Sequence, residues 1–237
     1  MTSTARAEQV RATRQKVLRA ARDLFLRRGW SGATITAIAK RAAVSPQTVY
    51  NVVGGKAALL KAVWDVTLAG DDEPVPMIER PTARAMLDSG DPDECLRLYA
   101  RMGRELAARA GPLIAVVFVQ GAGRDPAVRA FVERIEGERA IGTAGVARHV
   151  ARRFGLRDGL SEAEAGDVLW VLTAPELLDR FTRRRGWSLE RYERWLADAM
   201  TDALLPRPEA APRAGAPAAR AGPPPAPGAA GRGIRRP

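Results

Sequence analysis

Residues 34–50 read TITAIAKRAAVSPQTVY, two short helical patterns joined by a turn. Thr34 is the residue type that caps a helix start, and Ile35, Ile38 and Ala39 follow at helical spacing up to Ala42. Ser45 with Pro46 behind it is a second cap with a first-turn proline. Ile38, Ala39, Val44 and Val49 supply the apolar contacts that hold two helices at a fixed angle, which is the helix-turn-helix pattern. In such a motif only the start of the second helix reaches base edges. Ser45, Gln47 and Thr48 stand at that start.

Upstream, Val17, Leu18, Ala21, Leu24 and Phe25 form one apolar stripe ringed by arginines and lysine, and Gly29 stops the helix. Downstream, Gly54-Gly55 ends the second short helix, and a fourth runs from Lys56 through Leu59, Leu60, Val63 and Trp64. The 237 residues carry a net charge of +11, and its location is informative. Residues 1–64 hold 12 Lys+Arg and 2 Asp+Glu, for +10; residues 65–205 come to −4 and residues 206–237 to +5. A basic block coincident with a helix-turn-helix points to phosphate contact. Gln47 has the amide that pairs with adenine in the major groove, and Thr48 can meet a thymine methyl or a phosphate. Thr34, Tyr50, Asn51 and Lys56 complete the DNA-contacting set, with Lys56 also offering a helix-start N–H to phosphate. Arg6, Arg11 and Arg14 are candidates for an arm in the minor groove.

Composition removes other classes. One Cys and one His cannot build a zinc finger, a zinc ribbon or a disulfide framework. Cys95 lies on an apolar stripe and reads as core, and His149 has no ligand or nucleophile partner in view. The longest apolar run, Pro112 to Val119, is far short of the roughly 20 residues that span a bilayer, and no signal-peptide pattern follows the N-terminus. We expect a protein of the cytoplasm with no membrane association. No Ser-His pairing, Gly-rich phosphate loop or clustered ligand set supports an enzyme, so no catalytic residue, metal or cofactor is assigned.

Everywhere before residue 206 the apolar period is helical, so the fold class is all-α: residues 1–55 form the arm and three-helix DNA-binding domain, and residues 56–205 an all-helical second domain. Asp91-Pro92 opens a helix that Gly111-Pro112 ends; Leu113 to Val119 make a short one. Asp125-Pro126 starts a long helix in which Gly137, Gly142 and Gly145 suggest a kink or close helix approach. Ser161 with Glu164 forms a capping box, Thr173-Ala174-Pro175 interrupts the helix, and Ser188 caps the last one. Of residues 206–237, 24 are Ala, Pro or Gly, a composition that cannot bury enough surface to offset chain entropy, hence a disordered tail.

The ordered set Val17-Leu18, Ala20-Ala21, Leu24-Phe25, Gly29, Thr34, Ile38-Ala39, Val44-Ser45, Thr48-Val49-Tyr50, Lys56 and Leu59-Leu60 resembles the DNA-binding domain of TetR-like transcriptional regulators. It covers about a fifth of the chain. Asp167 to Glu176 and Arg185 to Leu196 also resemble the end of regulatory domains in that family. The chain departs from the family pattern at Ala43, where glycine is usual, at Val53, where an aromatic is common, and at Ala57, where glutamate often stands.

The resemblance implies a homodimer whose last two helices form a four-helix interface and whose middle helices bind a small effector. The residues nominated for that interface are Leu169, Phe181, Trp187, Tyr192, Trp195, Leu196 and Met200; charged residues at Trp195 and Leu196 would then give monomers. Tyr99, Met102, Leu106, Phe118, Phe131 and Trp170 are the nominated pocket walls, with Arg101 and Glu176 as polar anchors. The expected partners are double-stranded DNA carrying a palindromic operator and an unidentified small molecule. A ligand-independent architectural DNA binder is the alternative.

Overall fold

The computed structural model describes residues 3–73, 75–120 and 125–206, and among these the chain is all helical. Apart from Pro206, the expected disordered tail lies outside the described residues.

Helix α1 (Ser3–Gly32) buries Val17, Leu18, Ala21, Leu24 and Phe25, the stripe read from the sequence. Gly29 adopts φ 64, a left-handed turn open to glycine at little cost, which breaks the helical path before Trp30. Trp30 then stacks on Phe25 with ring centroids 5.9 Å apart. Helices α2 (Ile35–Ala42) and α3 (Pro46–Val52) follow, and α4 (Lys56–Ala69) closes the head. The head's core does not stop at residue 55. Leu59, Leu60, Val63 and Trp64 of α4 share one buried cluster with α1 and α2.

The α2–α3 turn is closed by bonds from the Ala43 N–H to Lys40 O (3.3 Å) and the Val44 N–H to Ala39 O (3.0 Å), a Schellman-type ending. It holds Ala43 at φ 55, where a Cβ is strained by about 1–2 kcal/mol. Glycine carries its own entropic penalty of about 0.5–1 kcal/mol, so Ala43→Gly should raise stability by about 0.5–1 kcal/mol in urea denaturation. Unchanged or lowered stability would mean that the turn relaxes without strain.

In the body, α5 (Pro81–Asp88) leads into α6 (Pro92–Ile114), which passes through Gly111-Pro112 rather than ending there. Proline removes one helical N–H, but the three residues from Pro112 to Ile114 bury Leu113 and Ile114 in the head's cluster, and that burial holds the helix together. The expected short helix after it is instead a π-helical segment, Ala115–Gln120. Helix α7 (Pro126–Phe154) is continuous over 29 residues. Among the described residues a Cβ built at Gly137, Gly142 or Gly145 would meet nothing within 4 Å; the close approach falls at Gly166, where an added Cβ would lie 3.4 Å from Ala144 Cα. Helix α8 (Glu162–Leu172) begins with the expected capping box, Glu164 N–H to Ser161 Oγ at 3.2 Å and Ser161 N–H to Glu164 Oε2 at 2.9 Å. After α9 (Pro175–Asp179) and a second π segment, Arg180–Arg184, α10 (Leu189–Leu204) completes the body.

Helix α10 lies along α6 and α8 along α7, and their inner faces make a second buried cluster from Met86, Cys95, Leu96, Leu169, Leu196, Met200 and neighbours. Cys95 is core as expected, and burial pushes its thiol up to about 11. Head and body meet where Trp64 packs against Phe118 and Phe131, both at 5.8 Å between centroids. Two polar ties reinforce the junction. Trp30 Nε1 donates to Asp125 Oδ2 at 2.7 Å, and Lys61 pairs with Glu138 at 3.3 Å.

Candidate nucleic-acid interface

Helix α3 is anchored by Val49, fully buried, while Ser45, Gln47, Tyr50 and Asn51 remain exposed. Ser45 Oγ accepts from the Thr48 N–H at 3.0 Å and is also bonded to the Thr48 hydroxyl at 2.8 Å. Thr34 Oγ1 accepts from the Ala37 N–H at 3.1 Å. Both capping oxygens therefore hold the helix starts, leaving contact with a DNA phosphate to hydroxyl hydrogens and first-turn N–H groups. Gln47 Nε2 donates to Asn51 Oδ1 at 2.9 Å. That bond orients the amide along the exposed face, with its carbonyl and second N–H free.

Lys56 is half buried, its Nζ 4.2 Å from the centroid of the Trp30 ring. Burial lowers its pKa, and the Asp125 carboxylate opposes that shift. The lysine nominated to hold phosphate is thus also a packing element beneath α1. Val53, in place of a larger ring, is partly buried against the head's core.

One basic groove escapes the sequence pattern. Lys16 and Arg19 of α1 and Arg41 of α2 line a 490 Å³ hollow with Ala20, Ala42 and Ala43, directly beside the α2–α3 turn. Arg41 is held by Asp23 at 2.6 Å. The i, i+3 spacing of Lys16 and Arg19 is a partial signal for it, but only the fold shows that α2 ends against that pair. Of the arginines assigned to an arm, Arg11 pairs with Glu73 at 2.5 Å and Arg14 with Asp72 at 3.7 Å. The loop carrying those carboxylates is braced by Asp71, which takes two bonds from Arg80 at 2.8 and 3.0 Å. Arg80 and the Glu73 N–H hold the Asp71 carboxyl down at about 2.

The body distributes its nominated residues differently from the expectation. Phe118 and Phe131 are buried with Trp64 in the first cluster, whereas Tyr99 and Met102 pack on the second. Burial pushes the Tyr99 phenol up to about 12. Leu106 is half buried, Arg101 and Glu176 are exposed, and Trp170 faces outward with Arg139 5.5 Å from its ring. The nominated set is thus divided between the two buried clusters rather than gathered in one. His149 is partly exposed, edge-on to Phe154 at 6.3 Å, and burial and the neighbouring Arg153 lower its pKa.

Of the seven nominated interface residues four are buried within the protomer, and Phe181, Trp187 and Trp195 keep partial exposure. Leu169, Tyr192, Leu196 and Met200 are buried in the protomer's own core. Phe181 packs against Trp187 at 4.5 Å and Trp195 at 4.4 Å, closing the second π segment onto α10. With Leu196 only 1% exposed, a charge there would unfold the protomer rather than dissociate a dimer. The large apolar side chains left in solvent on α7 and α8 are Ile141, Trp170 and Val171, exposed by 77%, 37% and 52%.

A helical pair with a buried anchor, an exposed polar edge and a basic flank is the helix-turn-helix arrangement. Residues 17–63, about a fifth of the chain, match the family model described as "Bacterial regulatory proteins, tetR family". Among similar solved structures is the fatty acid degradation regulator FadR from Bacillus halodurans, 14% identical, covering 79% of this chain and 94% of that one at a TM-score of 0.64. A second is FadR from Bacillus subtilis in complex with stearoyl-CoA, 16% identical, covering 78% and 96% at 0.62. NalD, the secondary repressor of the MexAB-OprM multidrug efflux pump in Pseudomonas aeruginosa, is 21% identical, covering 84% and 98% at 0.61. These likenesses are of fold. No curated protein sequence gives a significant match. Among the described residues no helix is long and apolar enough to cross a membrane.

Proposed function

We propose that the protein is a homodimeric repressor of the cytoplasm that binds a roughly palindromic operator and is released by a small molecule. The observation that carries this reading is the start of α3: Ser45, Gln47 and Thr48 are presented together beside the basic groove of Lys16, Arg19 and Arg41. Two such heads related by a two-fold axis would enter successive major grooves about 34 Å apart. Support for dimerisation comes from the outer face of α7 and α8, where Ile141, Trp170 and Val171 are exposed and Gly142 and Gly145 leave open space for a facing helix. Thr34, Tyr50, Asn51 and Lys56 are assigned to phosphate contact.

Helix α7 joins the two functions. It carries part of the exposed apolar face, and Asp125 at its N-cap and Glu138 near its middle tie it to Trp30 and Lys61 of the head. A ligand that shifts α7 against α6 therefore changes the separation of the heads. It does so only by preferring the released arrangement, and a full reversal from 1:99 to 99:1 needs a preference of about 10⁴-fold. The stearoyl-CoA complex of the Bacillus subtilis regulator supports a small-molecule effector for this architecture.

Selection of bound fragments from genomic DNA, followed by footprinting, tests the reading. A sharp two-fold-symmetric footprint supports it; diffuse protection of unrelated sequences would establish the architectural alternative. On the selected site, Gln47→Ala should cost about 1–3 kcal/mol of discrimination at one base pair, leaving other positions unchanged. Arg19→Ala should instead weaken all sequences alike and reduce the slope of log K against log salt by about 1. Identical profiles for both variants across an operator series would refute this division of roles.

A further inference from the structure

A second groove lies where the head meets the body. Leu26 of α1, Gly111 and Pro112 of α6, Ala115 of the first π segment and Leu178 of α9 are among the residues lining a space of 490 Å³, within the roughly 300–1,000 Å³ typical of small-molecule sites. None of the eight residues nominated for a pocket from the sequence lines it.

Three features distinguish it from a packing defect. Both π-helical segments contribute to its wall, Ala115 and Val116 from one, Thr182 and Arg183 from the other; π turns are rare and concentrate at functional sites. The apolar lining is joined at one place by charge. Asp179, with its side chain 11% exposed, pairs with Arg183 at 3.3 Å and Arg184 at 3.4 Å, so one carboxylate faces two guanidinium groups and positive charge is in excess. Finally, Leu178 packs against both buried clusters, and Leu26 is a head residue only half buried in its own domain.

We infer that this junctional groove is a binding site for an amphipathic anion, a single apolar chain ending in an anionic head group. The chain would lie on Leu26, Gly111, Ala115 and Leu178, and the head would take the guanidinium of Arg183 that Asp179 only partly neutralises. Occupancy would be felt at once by α1 through Leu26, without a relay across the body. The inference rests on the regulator reading above for its consequence, though not for the binding itself.

The test uses the full chain and three probes of equal chain length: dodecanoate, dodecanol and dodecyltrimethylammonium, each titrated by calorimetry below its micelle concentration. Dodecanoate should bind with the other two at least about tenfold weaker. Gly111→Leu fills the groove from a helical position where an added Cβ meets nothing within 4 Å, so the variant should fold and lose dodecanoate binding by at least about tenfold. Arg183→Ala should abolish the preference for the anion while retaining the chain. Operator binding is measured in parallel by anisotropy. No dodecanoate binding by the wild-type chain, equal binding of all three probes, or undiminished binding by Gly111→Leu overturns the inference. Loss of sequence-specific DNA binding in the ligand-free wild-type chain would instead overturn the regulator reading, so the two failures are distinct.

Discussion

Trp170→Glu with Val171→Glu is expected to yield monomers in sedimentation velocity and to weaken operator binding by about 10²–10⁴-fold, the range lost when two linked contacts become one. The protomer should survive the change. Both side chains are exposed on α8, where substitution usually shifts stability by no more than about 0.5 kcal/mol. A carboxylate at 170 would also fall near Arg139, which now lies 5.5 Å from the indole and bonds the Trp170 carbonyl at 2.7 Å. The contrasting variant is Leu196→Glu, which buries a charge in the second cluster and should unfold the chain rather than dissociate it. A doubly substituted protein that remains dimeric would rule out the α7–α8 face.

Trp64→Ala should destabilise the protein by about 3–5 kcal/mol in urea denaturation, the cost of deleting a large buried ring. That is a large share of the roughly 5–15 kcal/mol that holds a domain together. The expected effect sits at the top of the range because Trp64 is the ring that both Phe118 and Phe131 contact at 5.8 Å. Its loss opens the seam between α4, the first π segment and α7. Hydrogen exchange should therefore accelerate first in α4 and at the start of α7, and Trp64→Phe should restore some of the protection. A loss below about 1 kcal/mol would show that the seam is not a packed core.

The head is legible in the sequence because its signals are local. Thr34, Ser45 and Pro46 act within one helical turn, and the two helices begin where these residues place them. Ala43 stands out in the sequence only against the family pattern, where glycine is usual, and the structure holds it at φ 55. Gly111-Pro112 misleads because a local breaker says nothing of the burial of Leu113 and Ile114 beyond it. The α7 glycines mislead in the other direction. Their spacing suggests contact, yet the space beside them is open.

The pocket and interface assignments depend on which face of each helix turns inward, and a helical period cannot state that. Tyr192, Leu196 and Met200 share a stripe that suits either a core or a partner; α10 lying along α6 makes it core. Trp170 and Val171 follow Leu169 directly, and about 100° of helical rotation separates a buried leucine from an exposed indole. By itself the sequence determined the helix-turn-helix, its capping and the basic head, since these rest on interactions between residues a few positions apart and on summed charge. Only the tertiary structure decided where Arg41 meets Lys16 and Arg19, how Trp30 and Asp125 join head to body, and which groove lies open between them, because each depends on long-range packing of helices against one another.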